Sequence, residues 1–345
     1  MAHTFVITGH VDHGKSTIAG HILKDCIGIE VDDSKYRFAR VLDVDESEML
    51  KGKTHNISVR DFSYNEKKYR LIDTPGHKLC VPKMITGLTL YDPSCVVGCL
   101  VVSVAKGEFE AGFNNGDNSN GKEEKDKFGQ TREAALLMRS AGIVNFVVAM
   151  NKMDLIEWDQ SKYNEIVKKL EHFLKPLGLK SIKFVPVSGF NGTGLFTVKD
   201  LPNWYIGKSL LDTISDFNLK TPISDISEEE EMIRELNSIK SNKIKNNVDR
   251  YEDINLVANV LIFSMDNQIL TKGYQFTVHI GDGNYKAEIL QCKPKIIKEP
   301  TEKPCGMAIK IYDVPKHLIK QKSRLIFRTL NMTMGCGIIE KFNHN

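Results

Sequence analysis

Phe5-Val6-Ile7-Thr8-Gly9-His10-Val11-Asp12-His13-Gly14-Lys15-Ser16-Thr17 decides how the rest of the chain is read. It opens as an apolar strand and turns from Gly9 to Gly14. It then enters the apolar-periodic segment Ile18, Ala19, Ile22, Leu23, which reads as a helix. The spacing Gly-x4-Gly-Lys-Ser is that of a phosphate-binding loop. Gly9 and Gly14 let the backbone come close to an anion. Asp12, His13, Gly14, Lys15, Ser16 and Thr17 then bring successive amides and a helix N-terminus to it. Lys15 is expected to reach the outer phosphates and the Ser16 hydroxyl to hold Mg²⁺. ATPases, kinases and GTPases share such a loop, so residues farther along the chain must choose among them.

Strand and helix alternate from Phe5 to Phe217. Strands are expected at 5–8, 57–62, 69–72, 96–104, 146–150 and 184–187, and helices at 17–24, 78–88, 130–141, 161–175 and 209–216. Several of these strands are continuous apolar runs, as in sheets covered on both faces. The layout is a doubly wound α/β domain, in which ligands bind beyond the carboxyl ends of the strands. Residues 114–127 are polar and of low complexity and read as a solvated loop. Ser227-Glu228-Glu229-Glu230 is a capping box ahead of Met232, Ile233, Leu236 and Ile239, so 218–252 reads as a helical linker. From 253 to 345 short strands recur at 256–263, 274–280, 285–292, 307–312, 324–328 and 335–341. That spacing predicts a small antiparallel β-barrel.

Four further stretches narrow the chemistry. Asp73-Thr74-Pro75-Gly76-His77 comes after a strand ending at Ile72. Asp73 can hold Mg²⁺ through water, and the Gly76 amide can sense the third phosphate. Asn151-Lys152-Met153-Asp154 comes after another apolar strand. The Asp154 carboxylate can accept the ring N–H and the amino group that guanine presents and adenine lacks. The Lys152 stem can cover the purine face. Ser188-Gly189-Phe190 stands where its backbone would approach the guanine carbonyl. Thr54 lies between the first helix and the Asp73 strand, where its hydroxyl could bind Mg²⁺ only when the third phosphate is present. His77 holds the position that orients the attacking water in GTPases. Five stretches in this order point to a guanine-nucleotide switch using GTP or GDP and Mg²⁺, with slow intrinsic hydrolysis accelerated by a large partner.

Composition bounds the remainder. The chain of 345 residues has a net charge of +3, too small to argue for nucleic-acid binding by charge alone. Seven scattered cysteines without a Cys-x2-Cys favour a reducing compartment and show no zinc site. Met1-Ala2-His3-Thr4 runs straight into the first strand, which leaves no room for a signal peptide. The longest apolar run is too short to span a bilayer. A cytoplasmic placement is the expectation.

Gly9–Thr17, Asp73–His77 and Asn151–Asp154 together resemble the translational GTPases of the elongation factor Tu and elongation factor one-alpha group. Lys51-Gly52-Lys53-Thr54, Lys106-Gly107-Glu108-Phe109-Glu110 and Pro202-Asn203-Trp204-Tyr205-Ile206-Gly207 are similar to the branch of the eukaryotic release-factor GTPase and its ribosome-rescue relatives. The resemblance implies a GTP phosphohydrolase acting with the ribosome or with a release or rescue factor. It resumes at Asn255–Phe342 with the family's third domain, a β-barrel. About 35 residues separate Phe217 from Asp253, whereas the family's middle barrel takes on the order of 100. Its absence speaks against direct tRNA delivery and leaves open a second reading, a nucleotide-gated binding module that competes for a release factor or ribosome. The lean on Lys, Asn and Ile suits an AT-rich genome of a protist or giant virus; for a virus the placement is the host cytoplasm.

Overall fold

The strand that feeds the phosphate loop is the middle of the first sheet. β1 (His3–Gly9) is buried along almost its whole length. It has a parallel neighbour on each side, so that Val6 lies beside Ile72 on one and Gly98 on the other. The computed structural model describes residues 3–29, 58–74, 85, 92–113, 129–179, 181–220, 251–265, 268–281, 283–301, 303–329 and 332–343.

After β1 come α1 (Lys15–Ile27), β2 (Ser58–Tyr64), β3 (Lys67–Asp73), β4 (Val96–Ser103), α2 (Glu108–Phe113), α3 (Gln130–Ser140), β5 (Asn145–Asn151), α4 (Gln160–Leu174), β6 (Ser181–Pro186) and α5 (Leu210–Ser215). The strand order is β2-β3-β1-β4-β5-β6. All neighbours are parallel except β2, which returns antiparallel to β3 through a short turn. Phe5 and Ile7 of β1 are fully buried in one core with Ile18, Ile22 and Leu23 of α1. On the order of 1.5–3 kcal/mol accompanies the burial of each such side chain. The α3 helix packs on β1 and β4. The Arg132 guanidinium lies 4.1 Å from the Phe113 ring centre and 5.4 Å from that of Phe173, which ties α2, α3 and α4 together. The α1 helix stops at Gly28, whose left-handed backbone turns its N–H back to the Lys24 carbonyl.

The second unit holds β7 (Tyr251–Ile262), β8 (Leu270–Thr271), β9 (Gln275–Ile280), β10 (Gly283–Lys293), β11 (Ile296–Ile297), β12 (Cys305–Pro315), β13 (Arg324–Arg328) and β14 (Thr333–Asn343). Six of these strands close a barrel in the order β10-β12-β7-β14-β13-β9, every neighbour antiparallel. The period of two is plain in β7. Ile254, Leu256, Ala258, Val260 and Ile262 are buried, while Tyr251, Asp253, Val257 and Asn259 are exposed. The inward residues meet Ile309, Ile311, Leu325 and Phe327 in one apolar core.

The doubly wound sheet and the antiparallel barrel are therefore as expected. Four of the five expected helices are present within a few residues of their expected bounds. The fifth, 78–88, lies outside the described residues except for Ile85, and the 114–127 loop and residues 221 to 250 of the linker lie outside them altogether. The sequence reading missed α2, because six residues containing Gly112 show no helical period. It also missed the two-residue ribbon of β8 with β11, which is too short to leave a pattern.

Candidate functional site

The parallel strands β1, β3, β5 and β6 all end on the same side of the sheet, and the phosphate loop and the stretches beginning at Asp73, Asn151 and Ser188 come at those ends. Gly9 has φ +147°, and a Cβ there would lie 2.4 Å from the Val101 carbonyl oxygen on β4. Gly14 has φ +87°, and a Cβ there would lie 2.4 Å from the Asn151 side-chain nitrogen. Only glycine meets both demands without moving a neighbour. Gly14 is also the N-cap of α1 and brings no side chain to the first N–H groups. The loop thus leaves those donors to an anion.

Lys15 is buried, and its Nζ donates to the His10 carbonyl at 2.8 Å, across the loop it belongs to. Desolvation lowers its pKa, with Asp73 and Asp12 acting in the opposite direction. The Ser16 hydroxyl donates to Asp73 Oδ2 at 2.6 Å. A hydroxyl and a carboxylate meeting at a triphosphate loop are hard oxygen donors, and they fit a Mg²⁺ ion. Thr74, next in the chain, is fully buried and donates its N–H and its hydroxyl to the Ile7 carbonyl, which fixes the exit of β3 beside β1. Asp12 is exposed at φ +62°, and Thr17 is half-buried in the first turn of α1.

His13 is the loop's inner post. It is buried, with Nδ1 3.3 Å from the Val101 carbonyl and Nε2 3.2 Å from the Glu108 carbonyl. Burial, followed by nearby His10 and Lys15, pushes its pKa down to about 3. Neutral imidazole has one N–H to give, so one of the two carbonyls is served at a time.

Asn151 joins two motifs. Its Nδ2 donates to the His13 carbonyl at 2.8 Å, and its Oδ1 accepts the Gly189 N–H at 2.8 Å. The phosphate loop and the Ser188–Gly189 turn are thereby stitched through one buried amide. The Gly189 carbonyl lies 2.9 Å from His21 Nδ1 on α1. Ser188 is buried and its hydroxyl accepts the Asn191 N–H, while Phe190 is exposed. Lys152 sits at φ +66°, and its Nζ donates to Glu108 Oε2 at 2.6 Å. Asp154 lies in the short 3₁₀ turn Met153–Ile156, half-buried. The structure thus brings together Asp12 to Thr17, Asp73, Asn151, Lys152, Asp154 and Ser188 to Phe190. Thr54, Gly76 and His77 lie outside the described residues.

Sequence reading missed two supports of the site. Glu108 touches His13 through its carbonyl and Lys152 through its carboxylate, and it was visible only as part of a family motif. His21 backs the Gly189 turn, and a lone histidine on a helix carries no such signal. A cavity of about 520 Å³ is bordered by Asn145 at the start of β5, Lys183 of β6, Tyr205 and Phe217, and none of the expected site residues lines it. Among the described residues no group of three His, Cys, Asp or Glu side chains could hold a metal by itself, and no helix is long and apolar enough to cross a membrane.

A glycine-lined anion cradle on the central strand, with an Asp at the next strand end, defines a P-loop nucleotide-binding domain. Residues 2–220 match the elongation factor Tu GTP binding domain family, and the chain belongs to that family. Elongation factor 1-alpha of Aspergillus oryzae is 35% identical over 257 residues, covering 64% of this chain and 52% of that protein. Protein HBS1 of Drosophila melanogaster is 37% identical over 232 residues, covering 62% of this chain and 32% of that protein. The chain spans about half the length of the elongation factors it matches, and less of HBS1. The Saccharomyces cerevisiae Ski7 GTPase-like domain, solved with GTP bound, shares the fold with a TM-score of 0.71 over 98% of this chain and 97% of that one, at 14% identity.

Proposed function

We propose that the chain is a translation-factor-type switch that binds GTP and hydrolyses it to GDP and phosphate. The observation that carries this reading is the meeting of three groups at one end of the α/β sheet. They are Lys15, the Ser16–Asp73 pair and the Asn151–Asp154 turn. Lys15 would exchange the His10 carbonyl for outer phosphate oxygens, in surroundings where poor solvation strengthens the attraction. Ser16, Asp73 and Thr54 are the oxygens assigned to Mg²⁺, which when bound supplies neutralising charge between the outer phosphates. Asp154 accepts two N–H groups of guanine, and Lys152 covers its face. Ser188, Gly189 and Phe190 border the guanine carbonyl. Gly76 offers its amide to the third phosphate, and His77 orients the attacking water.

Purified protein should prefer GDP and GTP over ADP and ATP by at least about hundredfold. Binding neither guanine nucleotide, or showing no preference, sinks the proposal. His77→Ala should retain GDP and lose on the order of hundredfold in single-turnover hydrolysis.

The similarity to elongation factor 1-alpha and HBS1 supports a translational setting in the cytoplasm, with the ribosome or a release or rescue factor as partner. Co-sedimentation with ribosomes in a non-hydrolysable GTP analogue checks it, and absence of association in either nucleotide state counts against it. The interval of about 35 residues between Phe217 and Asp253, too short for a middle barrel, favours the second reading, a nucleotide-gated binding module whose turnover is incidental. If cellular activity survives His77→Ala without measurable hydrolysis, the module reading wins.

A further inference from the structure

The turn that carries Asp154 is bent against the preference of its own residues. Lys152, Glu157 and Trp158 have φ of +66°, +52° and +57°, a region that side chains other than glycine, Asn and Asp seldom enter. Such a backbone persists only where its surroundings hold it. Inside the turn the Trp158 N–H donates to the Met153 carbonyl at 3.0 Å, and the Glu157 N–H donates to the Asp154 carbonyl at 3.3 Å. Met153 is tied to the sheet by its N–H on the Val187 carbonyl. At the far end, where the chain leaves for α4, the Trp158 carbonyl accepts the indole N–H of Trp204 at 3.1 Å.

Trp204 is itself anchored. Its ring lies 5.0 Å from that of Tyr163 on α4, and the Tyr163 hydroxyl donates to the Phe184 carbonyl of β6. Tyr205 meets the indole edge to face at 6.3 Å. A rigid path therefore runs from the sheet through Tyr163 and Trp204 to the strained end of the Asp154 turn, 46 residues away in sequence from Trp204.

We propose that Trp204 is a positioning residue for purine selectivity. Its indole N–H clamps the Trp158 carbonyl and so fixes where the Asp154 carboxylate stands. This rests on the reading of Asp154 as the guanine acceptor. The clamp accounts for a tryptophan here, since phenylalanine can stack on Tyr163 but has no N–H to give.

The test compares wild type, Trp204→Phe and Asp154→Asn in the full chain, with GDP and IDP as probes. IDP lacks the exocyclic amino group, so the GDP to IDP affinity ratio reports how well Asp154 is placed. Trp204→Phe should reduce that ratio by about threefold to tenfold, the loss of one positioned hydrogen bond. It should move the ratio toward that of Asp154→Asn while leaving the thermal midpoint close to wild type. A wild-type ratio retained in full by Trp204→Phe overturns the role of Trp204. A wild type that itself shows no preference for GDP overturns the guanine reading beneath it.

The second arm uses Trp158→Phe, which leaves Trp204 as the only tryptophan, because the chain has two. The clamp is made to a backbone carbonyl and survives that change. Trp204 emission should lie to the blue of tryptophan in water with and without GDP, as befits an indole packed on Tyr163 and held at its N–H. Emission equal to that of tryptophan in water, in a protein that binds GDP, rules the clamp out, whether or not Trp204→Phe folds.

Discussion

Lys152 Nζ lies 2.6 Å from Glu108 Oε2, so the lysine expected to cover the purine is held at its tip by the residue whose carbonyl also faces His13. The pair is partly open to solvent, at 24% and 39% exposure. At such exposure an ion pair contributes about 0.2–1 kcal/mol. Glu108→Ala should therefore leave the melting temperature almost unchanged. It should weaken GDP binding by about twofold to fivefold through loss of the lysine's orientation. Isothermal titration calorimetry in low and high salt checks both parts, since the difference between wild type and variant should shrink as salt rises. A variant that binds as wild type does at low salt removes Glu108 from the site.

Asn151→Ala should be far more costly. It strips a hydrogen-bond partner from the His13 carbonyl and from the Gly189 N–H in a buried setting, at about 1–3 kcal/mol each. A loss of roughly 2–5 kcal/mol in urea unfolding is expected. Asn151→Asp keeps the acceptor for Gly189 and places a carboxylate against the His13 carbonyl, so it should not rescue the loss. A change below about 1 kcal/mol would mean that the two loops hold together without the amide.

Much of the fold and the site is legible in the sequence, and some of it is not. The phosphate loop is local: strand, two glycines, lysine and helix fall within one short stretch, so spacing alone reveals it. The inward face of β7 is likewise a matter of alternate residues. Asn151 is legible as part of a motif and illegible as a stitch, because its partners lie 138 and 38 residues away. Glu108 and Trp204 act through contacts of similarly long range, with Lys152 and with the Trp158 carbonyl. Such pairings are set by which strand neighbours which, and a one-dimensional period carries no record of that.

Acid should loosen the α/β unit through its buried histidines. His13 has its pKa pushed from 6.5 down to about 3 in the folded protein, so the unfolded chain binds the extra proton between those values. Stability is then full above about 6.5 and falls as pH drops toward 3, by about 1.4 kcal/mol per pH unit. His3, lowered by burial and then by Lys67, acts in the same direction. Both tryptophans belong to this unit, so urea unfolding followed by their fluorescence at about pH 7.5, 6.5 and 5.5 reads it without the barrel. His13→Gln should flatten the slope. A wild-type slope of zero below about pH 6.5 would contradict the buried neutral imidazole.

The Ser16–Asp73 contact makes a prediction about metal. If the two oxygens hold Mg²⁺, chelation with EDTA should speed GDP release from wild type by about tenfold or more. Ser16→Ala, lacking one donor, should release GDP quickly with or without chelator. Stopped-flow release of a fluorescent GDP analogue decides it. Equal EDTA sensitivity in both proteins would remove Ser16 from the metal.

The barrel's seam has a consequence for synthesis. β7 is its first strand in sequence, yet its two neighbours are β12 and β14. As the chain emerges, β7 waits some fifty residues for one partner and about eighty for the other. Until Thr333–Asn343 is free of the tunnel, one long edge of β7 has no strand to lie against, and unpaired edges recruit foreign strands. The sheet that carries the phosphate loop has no such wait, since β1 has both its neighbours, β3 and β4, by Ser103. A newborn chain stalled near residue 320 would therefore carry an assembled nucleotide cradle beside an open barrel, the form in which aggregation or capture by a chaperone should be strongest.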